Sequence, residues 1–414
     1  MLDIKLIREQ PEAVKEACKN RRFECDINRI LELDKRQRQL LQEVEQVRSQ
    51  KNKLGKEDRE QGQALKQQLK EKEPALQQAG EELEKLLLQL PNIPLSDVPV
   101  GKDETENKVL RTWGKIPSFG FTPKDHQELG EALDIIDIKR AAKVSGARFT
   151  YLKSHAVTLE FALVRMIMDL AQKQGFIPII PPVLVKEDVM KGMGYIDTPE
   201  DRAERYFLQE SGLFLVGTAE QAIGSMHRDE VFEEQDLPRR YVAFSSCFRE
   251  EAGSYGKDTK GIMRLHQFDK VELFSIVKPE DSKKEHEFLL SFEEKLWQQL
   301  QIPYQVLHLC TGDISRPSAS TYDIETWMPG QNRYREVSSA STTTDFQARR
   351  LNIRFRNKGN KMEFVHMLNA TGFAMVRTLI AIIENNQQKD GSIKVPKVLQ
   401  KYAGISVLKH GRNT

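Results

Sequence analysis

Arg249 and Glu251 stand two residues apart, just beyond the apolar run Tyr241-Val242-Ala243-Phe244. After the Gly-rich stretch Ala252-Gly253-Ser254-Tyr255-Gly256, a second strand-like run carries Arg264, Phe268 and Glu272. The pattern predicts an antiparallel hairpin. Such a hairpin offers a guanidinium to a phosphate, a carboxylate to an amine donor and an aromatic face to a flat ring. Those are the parts needed to hold ATP in a bent, reactive pose. Singly, each has a plainer explanation: an Arg–Glu pair is more often a structural ion pair, and a strand Phe is more often core. Their joint occurrence at this spacing is what a structural account does not require.

These residues need elements to position them. From about Lys108 onward strands and helices mix, with strand signals at 213–216, 240–245, 271–276, 304–309, 322–327 and 363–368. Helix signals are few between them and reappear at Phe373 to Glu384; an earlier helix runs from Thr158 to Gln174 into the extended segment Phe176–Val185. Strands that follow strands predict an α+β domain on a mostly antiparallel sheet flanked by helices. No Gly-x-x-x-x-Gly-Lys-Ser/Thr loop and no Gly-x-Gly-x-x-Gly after a strand occurs, so P-loop and dinucleotide-fold binding have no support.

Residues 27–90 differ in kind, being rich in Gln, Glu, Lys, Arg and Leu. Leu33, Leu40, Val47 and Leu54 recur at sevens, joined by Ile30 and Val44. Leu69, Leu76, Leu83 and Leu90 repeat the pattern, joined by Ala79 and Leu86. These heptads predict two helices folded back as an antiparallel coiled-coil arm, with Gly55 and Gly62 marking the reversal. Gln37 and Lys51 are polar seam positions, and Pro74 is expected to kink the second helix or shift its start downstream. A short helical lead-in occupies residues 1 to about 25, and a proline-rich hinge ends the arm, which divides the chain into 1–100 and 101–414. The first arm helix leans basic through Lys35, Arg36, Arg38, Arg48, Lys51, Lys53 and Lys56, a rod able to track a phosphate backbone, although charge runs are usually only solvated faces.

At 414 residues the chain exceeds one ordinary core, and 39% hydrophobic with 30% charged residues suits a soluble globular protein with one very polar segment. A net charge of +2 leaves any nucleic-acid contact to local basic surfaces. Four scattered cysteines read as reduced thiols, and no zinc is expected. With no signal core at the N-terminus and no long apolar run, no membrane contact and a cytoplasmic location are expected.

The whole order of lead-in, arm, hinge and mixed domain resembles the bacterial-type seryl-tRNA synthetases of class II. Phe248-Arg249-Glu250-Glu251 with Arg264 to Phe268 resembles the second class motif. Asn369-Ala370-Thr371-Gly372-Phe373-Ala374-Met375-Val376-Arg377 resembles the third, and the helix and strand closing on Pro182 the first. Thr218-Ala219-Glu220 and Asp345-Phe346-Gln347-Ala348-Arg349-Arg350 are specific to the seryl enzymes.

The resemblance implies activation of L-serine by ATP and transfer of serine to the 3′ end of serine tRNA, with selenocysteine tRNA a further substrate where it exists. It implies a homodimer built on the first motif. It places Arg249 and Arg377 on the phosphates as the catalytic pair, with Glu250, Glu251, Phe268, Glu336, Val337, Ser338 and Ser339 completing the ATP site. Glu336 and Ser339 would help to carry Mg²⁺. Thr218, Ala219, Glu220, Glu272, Asn369 and Thr371 would surround serine. The chain departs from the family pattern in Ser320, Ala370, Thr371 and Val376, and Thr371 adds a methyl beside the expected serine pocket. Two other readings are a relative that loads an amino acid onto a carrier protein, which is expected to lack the arm, and a catalytically silent RNA-binding protein, which is expected to have eroded ATP residues.

Overall fold

Asp26 accepts a backbone hydrogen bond from Arg29 at 2.9 Å and so starts a long arm helix. In the computed structural model, which describes residues 1–55, 58–252 and 260–409, two short helices precede it: α1 (Ile4–Glu9) and α2 (Pro11–Asn20). The arm itself is α3 (Ile27–Asn52) and α4 (Arg59–Gln89). Val44 and Val47 pack against Leu65 and Leu69, with Leu54 and Leu76 partly buried beside them. Ion pairs Arg48–Glu73 and Lys72–Glu43 cross the same interface but remain open to solvent. Exposed pairs are worth about 0.2–1 kcal/mol, whereas a fully buried Leu or Val is worth about 1.5–3 kcal/mol. The apolar seam therefore holds the arm together.

Three details of the expected arm change. Helix α4 runs through Pro74 without a shifted start, because a proline there removes one backbone hydrogen bond from a helix already fixed by its seam. Gly62 lies inside α4, so the reversal falls between the end of α3 and the start of α4, where the Gly55 N–H meets Asp58 Oδ2 at 2.8 Å. Lys51 is exposed and Leu87 is buried more deeply than Leu86. Gln37 does face the partner helix, against Gly80, where an added Cβ would lie 3.0 Å from Gln37 Nε2.

The chain separates into two units between Ile93 and Pro94, earlier than residue 100. The segment after Pro94 is bound to the second unit: Leu95 N–H donates to Ala319 O, Thr311 N–H donates to Pro99 O, and Val98 packs with Leu307, Leu309 and Ile314.

The second unit is built on an eight-stranded sheet. Its strands are β1 (Lys108–Trp113), β2 (Ile177–Ile179), β3 (Arg239–Phe248), β4 (Gln267–Val277), β5 (Tyr304–His308), β6 (Ser320–Met328), β7 (Arg333–Thr344) and β8 (His366–Ala374). They lie in the order β1-β5-β6-β7-β8-β4-β3-β2, all antiparallel except β2 beside β3. Strand β7 and the helix Ser282–Leu300 go beyond the sequence expectation of few helices between strands. That helix shows apolar residues at helical spacing (Leu289, Phe292, Leu296, Leu300), all buried in the core.

Four further helices matter for the site. They are α5 (His126–Ala132), α6 (His155–Gln172), α7 (Glu220–Ser225) and, after the core helix α8 (Ser282–Leu300) and α9 (Phe346–Leu351), α10 (Met375–Asn385). Leu159, Ala162, Leu163, Met166 and Ile167 of α6 line one stripe at helical spacing and reach the underside of the sheet. Gly372 makes this approach possible, since a Cβ there would lie 2.1 Å from Ile167 Cδ1.

Candidate active site

Strands β3 and β4 pair with Cys247 opposite Phe268, so the expected hairpin forms, and Arg249 emerges just past the end of β3. Arg249 N–H donates to His266 O, and His266 Nδ1 stands 3.0 Å from Arg249 O. This pair closes the mouth of the hairpin. The Arg249 Nε donates to Gly217 O at 3.3 Å, and its guanidinium lies 5.3 Å from the centre of the Phe268 ring. Glu251, in the left-handed backbone region at φ 53°, accepts from Arg264 Nη1 at 2.7 Å. Arg148 Nη1 donates to the Glu251 carbonyl.

Two groups come from the neighbouring strand β7. Glu336 and Ser339 are three apart, and in a regular strand they would face opposite ways. Here Ser338 pairs with Ile324 and Glu336 with Glu325, so Val337 is an extra residue that bulges the strand. The bulge resets the alternation, and both Glu336 and Ser339 line the pocket. Arg377, in the first turn of α10, donates to Glu336 Oε2 at 3.0 Å and to the Glu336 carbonyl at 2.9 Å. Desolvation within the pocket opposes the Glu336 charge, although 49% of its side chain remains open. Arg377 first, then Arg249 and Arg264, outweigh that, and the carboxyl is held below its ordinary range.

In the second part of the pocket the carboxylates are more deeply buried. Glu272 is 1% exposed, and its Oε2 accepts from Thr218 Oγ1 at 2.7 Å and pairs with Lys270 Nζ. Glu220 accepts from Tyr195 Oη at 2.7 Å and from Gln347 Nε2 at 2.9 Å. Burial first, then the neighbouring Glu272, pushes the Glu220 carboxyl above its ordinary range. Thr371 pairs across strands with Glu272, which puts hydroxyl and carboxylate side by side. A second bulge lies here: Val271 pairs with Phe373 and Glu272 with Thr371, leaving Gly372 as the extra residue. Asn369 lines the same cavity of about 740 Å³. Arg249, Arg264, Lys270, Glu336 and Thr371 line both parts, which form one continuous pocket.

Three expected site residues are not brought into it. Ser338 turns to the core and accepts from Trp297 Nε1 at 3.2 Å, being on the opposite face from Ser339. Ala219 is fully buried in the apolar cluster with Ile223 and Tyr241, so only its backbone is near the site. Glu250 lies between the two inward residues Arg249 and Glu251; its side chain bonds Tyr206, outside the pocket lining. Lys270, Tyr195 and Arg205 are pocket residues that the sequence reading passed over. Lys270 was readable, since Phe268, Lys270 and Glu272 alternate on one strand face.

Of the basic arm residues, Lys35, Arg36, Lys51 and Lys53 are exposed. Arg38 pairs with Asp34 at 3.1 Å and Arg48 with Glu73 at 2.7 Å, while Lys56 lies outside the described residues. Near the arm's far end Arg48 and Lys51 share a groove with Lys66 and Lys70 of α4, so the basic surface spans both helices.

An antiparallel sheet that presents two arginines, an aromatic ring and bulged carboxylate strands to one pocket is the core of a class II aminoacyl-tRNA synthetase, and residues 206–386 match the tRNA synthetase class II core domain (G, H, P, S and T). Residues 1–94 match the seryl-tRNA synthetase N-terminal domain. The chain belongs to the seryl-tRNA synthetase family. It is 44% identical to the serine–tRNA ligase of Dictyoglomus turgidum over 99% of both chains. Among solved structures it is similar to the seryl-tRNA synthetase of Pyrococcus horikoshii complexed with ATP (TM-score 0.92, 40% identity, 99% of each chain). It is also similar to the cytoplasmic serine–tRNA ligase of Naegleria fowleri in complex with AMP (TM-score 0.89, 32% identity, 99% of each chain).

Proposed function

We propose that the pocket joins L-serine to ATP and then passes the seryl group to the terminal ribose of serine tRNA, the reaction of a serine–tRNA ligase. The serine carboxylate attacks the α-phosphorus, pyrophosphate leaves, and the ribose hydroxyl then displaces AMP from the seryl-adenylate. Two anions must meet, so the protein's task is to neutralise charge and align groups; no nucleophilic side chain is required. The observation that carries this reading is the continuity of the arginine-rich part with the Glu272–Thr371 part through shared lining residues.

In this reading Arg249 spans the α-phosphate and the serine carboxylate, and Arg377 holds the far phosphates. Glu251 accepts from the adenine amino group, Phe268 stacks on the ring, and Val337 and Ser339 complete that wall. Glu272, Thr218 and Glu220 take the serine ammonium, with Asn369 and Thr371 beside its hydroxyl. Glu336, kept ionised by arginines, and the Ser339 hydroxyl are hard oxygen donors that fit Mg²⁺ arriving with ATP. Such a cation would spread the charge of the triphosphate. Among the described residues no group of three His, Cys, Asp or Glu side chains forms a metal site of its own, which fits a cation shared with substrate phosphates.

The exposed basic surface of the arm supports tracking of a tRNA backbone, and selenocysteine tRNA is included as a substrate where the host makes it. Exposed apolar residues on and after α6, Phe161 at 62% and Ile180 at 83%, support a homodimer through this face. No described helix is long and apolar enough to cross a membrane, and a cytoplasmic location fits the reaction.

The test is ATP–pyrophosphate exchange across the amino acids, with and without serine tRNA. Serine alone should drive exchange. Deleting residues 30–88 should spare exchange and cripple tRNA charging; equal loss of both would make the arm structural.

A further inference from the structure

One buried trio outside the substrate-facing groups ties the nucleotide part of the pocket together from behind. His126 opens α5 and is 5% exposed; Glu384, in the last turn of α10, is fully buried. Glu384 Oε1 accepts the His126 backbone N–H at 3.0 Å and stands 2.8 Å from His126 Nδ1. Its Oε2 accepts the Gly330 N–H at 2.8 Å, in the turn between β6 and β7. On the other side of the ring, Ile262 N–H donates to His126 Nε2 at 3.2 Å.

The chemistry fixes the tautomer. Nε2 receives an N–H and must present its lone pair, so the proton sits on Nδ1 and is donated to Glu384. The neutral ring thus relays a hydrogen bond from the carboxylate to the peptide of Ile262. Gly261, at φ +75°, lets the chain approach the ring, since a Cβ there would lie 2.1 Å from Nε2. Lys260 pairs with Asp125 at 2.5 Å and fastens the same segment to the residue beside His126.

What these contacts join is specific. Ile262 lines the nucleotide part of the pocket, and the chain running on from it presents Arg264 and then, at the start of β4, Phe268. Helix α10 carries Arg377 two turns before Glu384, on nearly the same face and about 10 Å along the axis. The turn at Gly330 leads into β7 with Glu336 and Ser339.

We infer that His126 and Glu384 are positioning residues for ATP: the Glu384–His126–Ile262 relay sets the spacing between the hairpin's returning strand and the helix that bears Arg377. Neither touches a substrate. The inference rests on the reading of this pocket as the ATP site.

The experiment measures exchange kinetics and melting temperature of the full chain carrying His126→Ala, Gly261→Ala or Phe268→Ala. The first removes the relay, the second drives a methyl into it, and the third tests the pocket itself. In the first two, KM for ATP should rise by about fivefold or more while KM for serine stays within about twofold. An unmoved ATP KM in either folded variant, or equal rises for ATP and serine, overturns the inference. Failure of both variants to fold makes the trio merely structural and overturns it too. If Phe268→Ala leaves the ATP KM unchanged, the reading of the pocket fails; if it raises that KM beside unmoved relay variants, only the relay fails.

Discussion

The two parts of the pocket hold their charges differently. In the part read as the nucleotide's, charge meets charge at positions with partial access to solvent: Arg377 with Glu336, and Arg264 with Glu251. Toward the amino acid, Glu220 is satisfied by a phenol and an amide, and Glu272 by a hydroxyl and a lysine, all nearly inaccessible. Open ion pairs can exchange partners at small expense, because solvent screens both arrangements. Enclosed carboxylates are fixed in place by their buried donors, since leaving such a group unpaired costs about 1–3 kcal/mol or more. The first arrangement suits a large, charged substrate that brings its own neutralising partners. The second suits a small one that must be told apart from near relatives.

That contrast can be broken by experiment. Arg249→Ala removes one of the groups that both parts share, and serine-dependent pyrophosphate exchange should fall by about 10³-fold or more; near-normal exchange would sink the assignment. Glu272→Gln should raise KM for serine by about 10–100-fold with KM for ATP little changed. Because it strands Lys270, Glu272→Gln should also lower the melting temperature, and a Lys270→Met/Glu272→Gln double variant should recover stability without recovering serine binding. Matching KM changes for ATP would erase the division between the parts. Thr371→Val keeps the shape and loses the hydroxyl, so preference for serine over alanine should drop by about tenfold in exchange assays. Unchanged preference would place hydroxyl recognition elsewhere.

The smallest effect concerns the strand that joins both parts. Glu160 of α6 is pushed up to about 8 by burial and by Asp269, the residue between Phe268 and Lys270. The folded chain therefore keeps a proton that the unfolded chain releases near 4.5. Stability from this group is complete below that pH and is lost as pH rises through about 8. Glu160→Gln should flatten this slope in melting curves taken across pH; an unchanged slope would show that another group carries it.

Much of this was legible in the sequence because it is local. The hairpin, the strand-to-helix step before Arg377 and the arm's heptads each need only neighbours along the chain. The helix Ser282–Leu300 was legible too, in the spacing of Leu289, Phe292, Leu296 and Leu300, yet was passed over. The bulges at Val337 and Gly372 were not, because a bulge exists only relative to a partner strand. Ser338 and Ser339 face opposite sides by strand alternation alone, and only the resemblance groups them. The unshifted start of the helix around Pro74 has a similar reason: propensity is set along one helix, whereas packing against a second decides whether it continues.

The extra residue at Val337 marks the one position where this strand could lose a residue without turning its side chains over. Deleting it would leave Glu336 opposite Glu325 and Ser338 opposite Ile324 in unbroken alternation, so Glu336 and Ser339 would still share a face. What the loss would remove is the local bend and the Val337 contact with the pocket. A lineage could therefore straighten the strand here with a single-codon loss and keep the carboxylate and the hydroxyl aimed the same way.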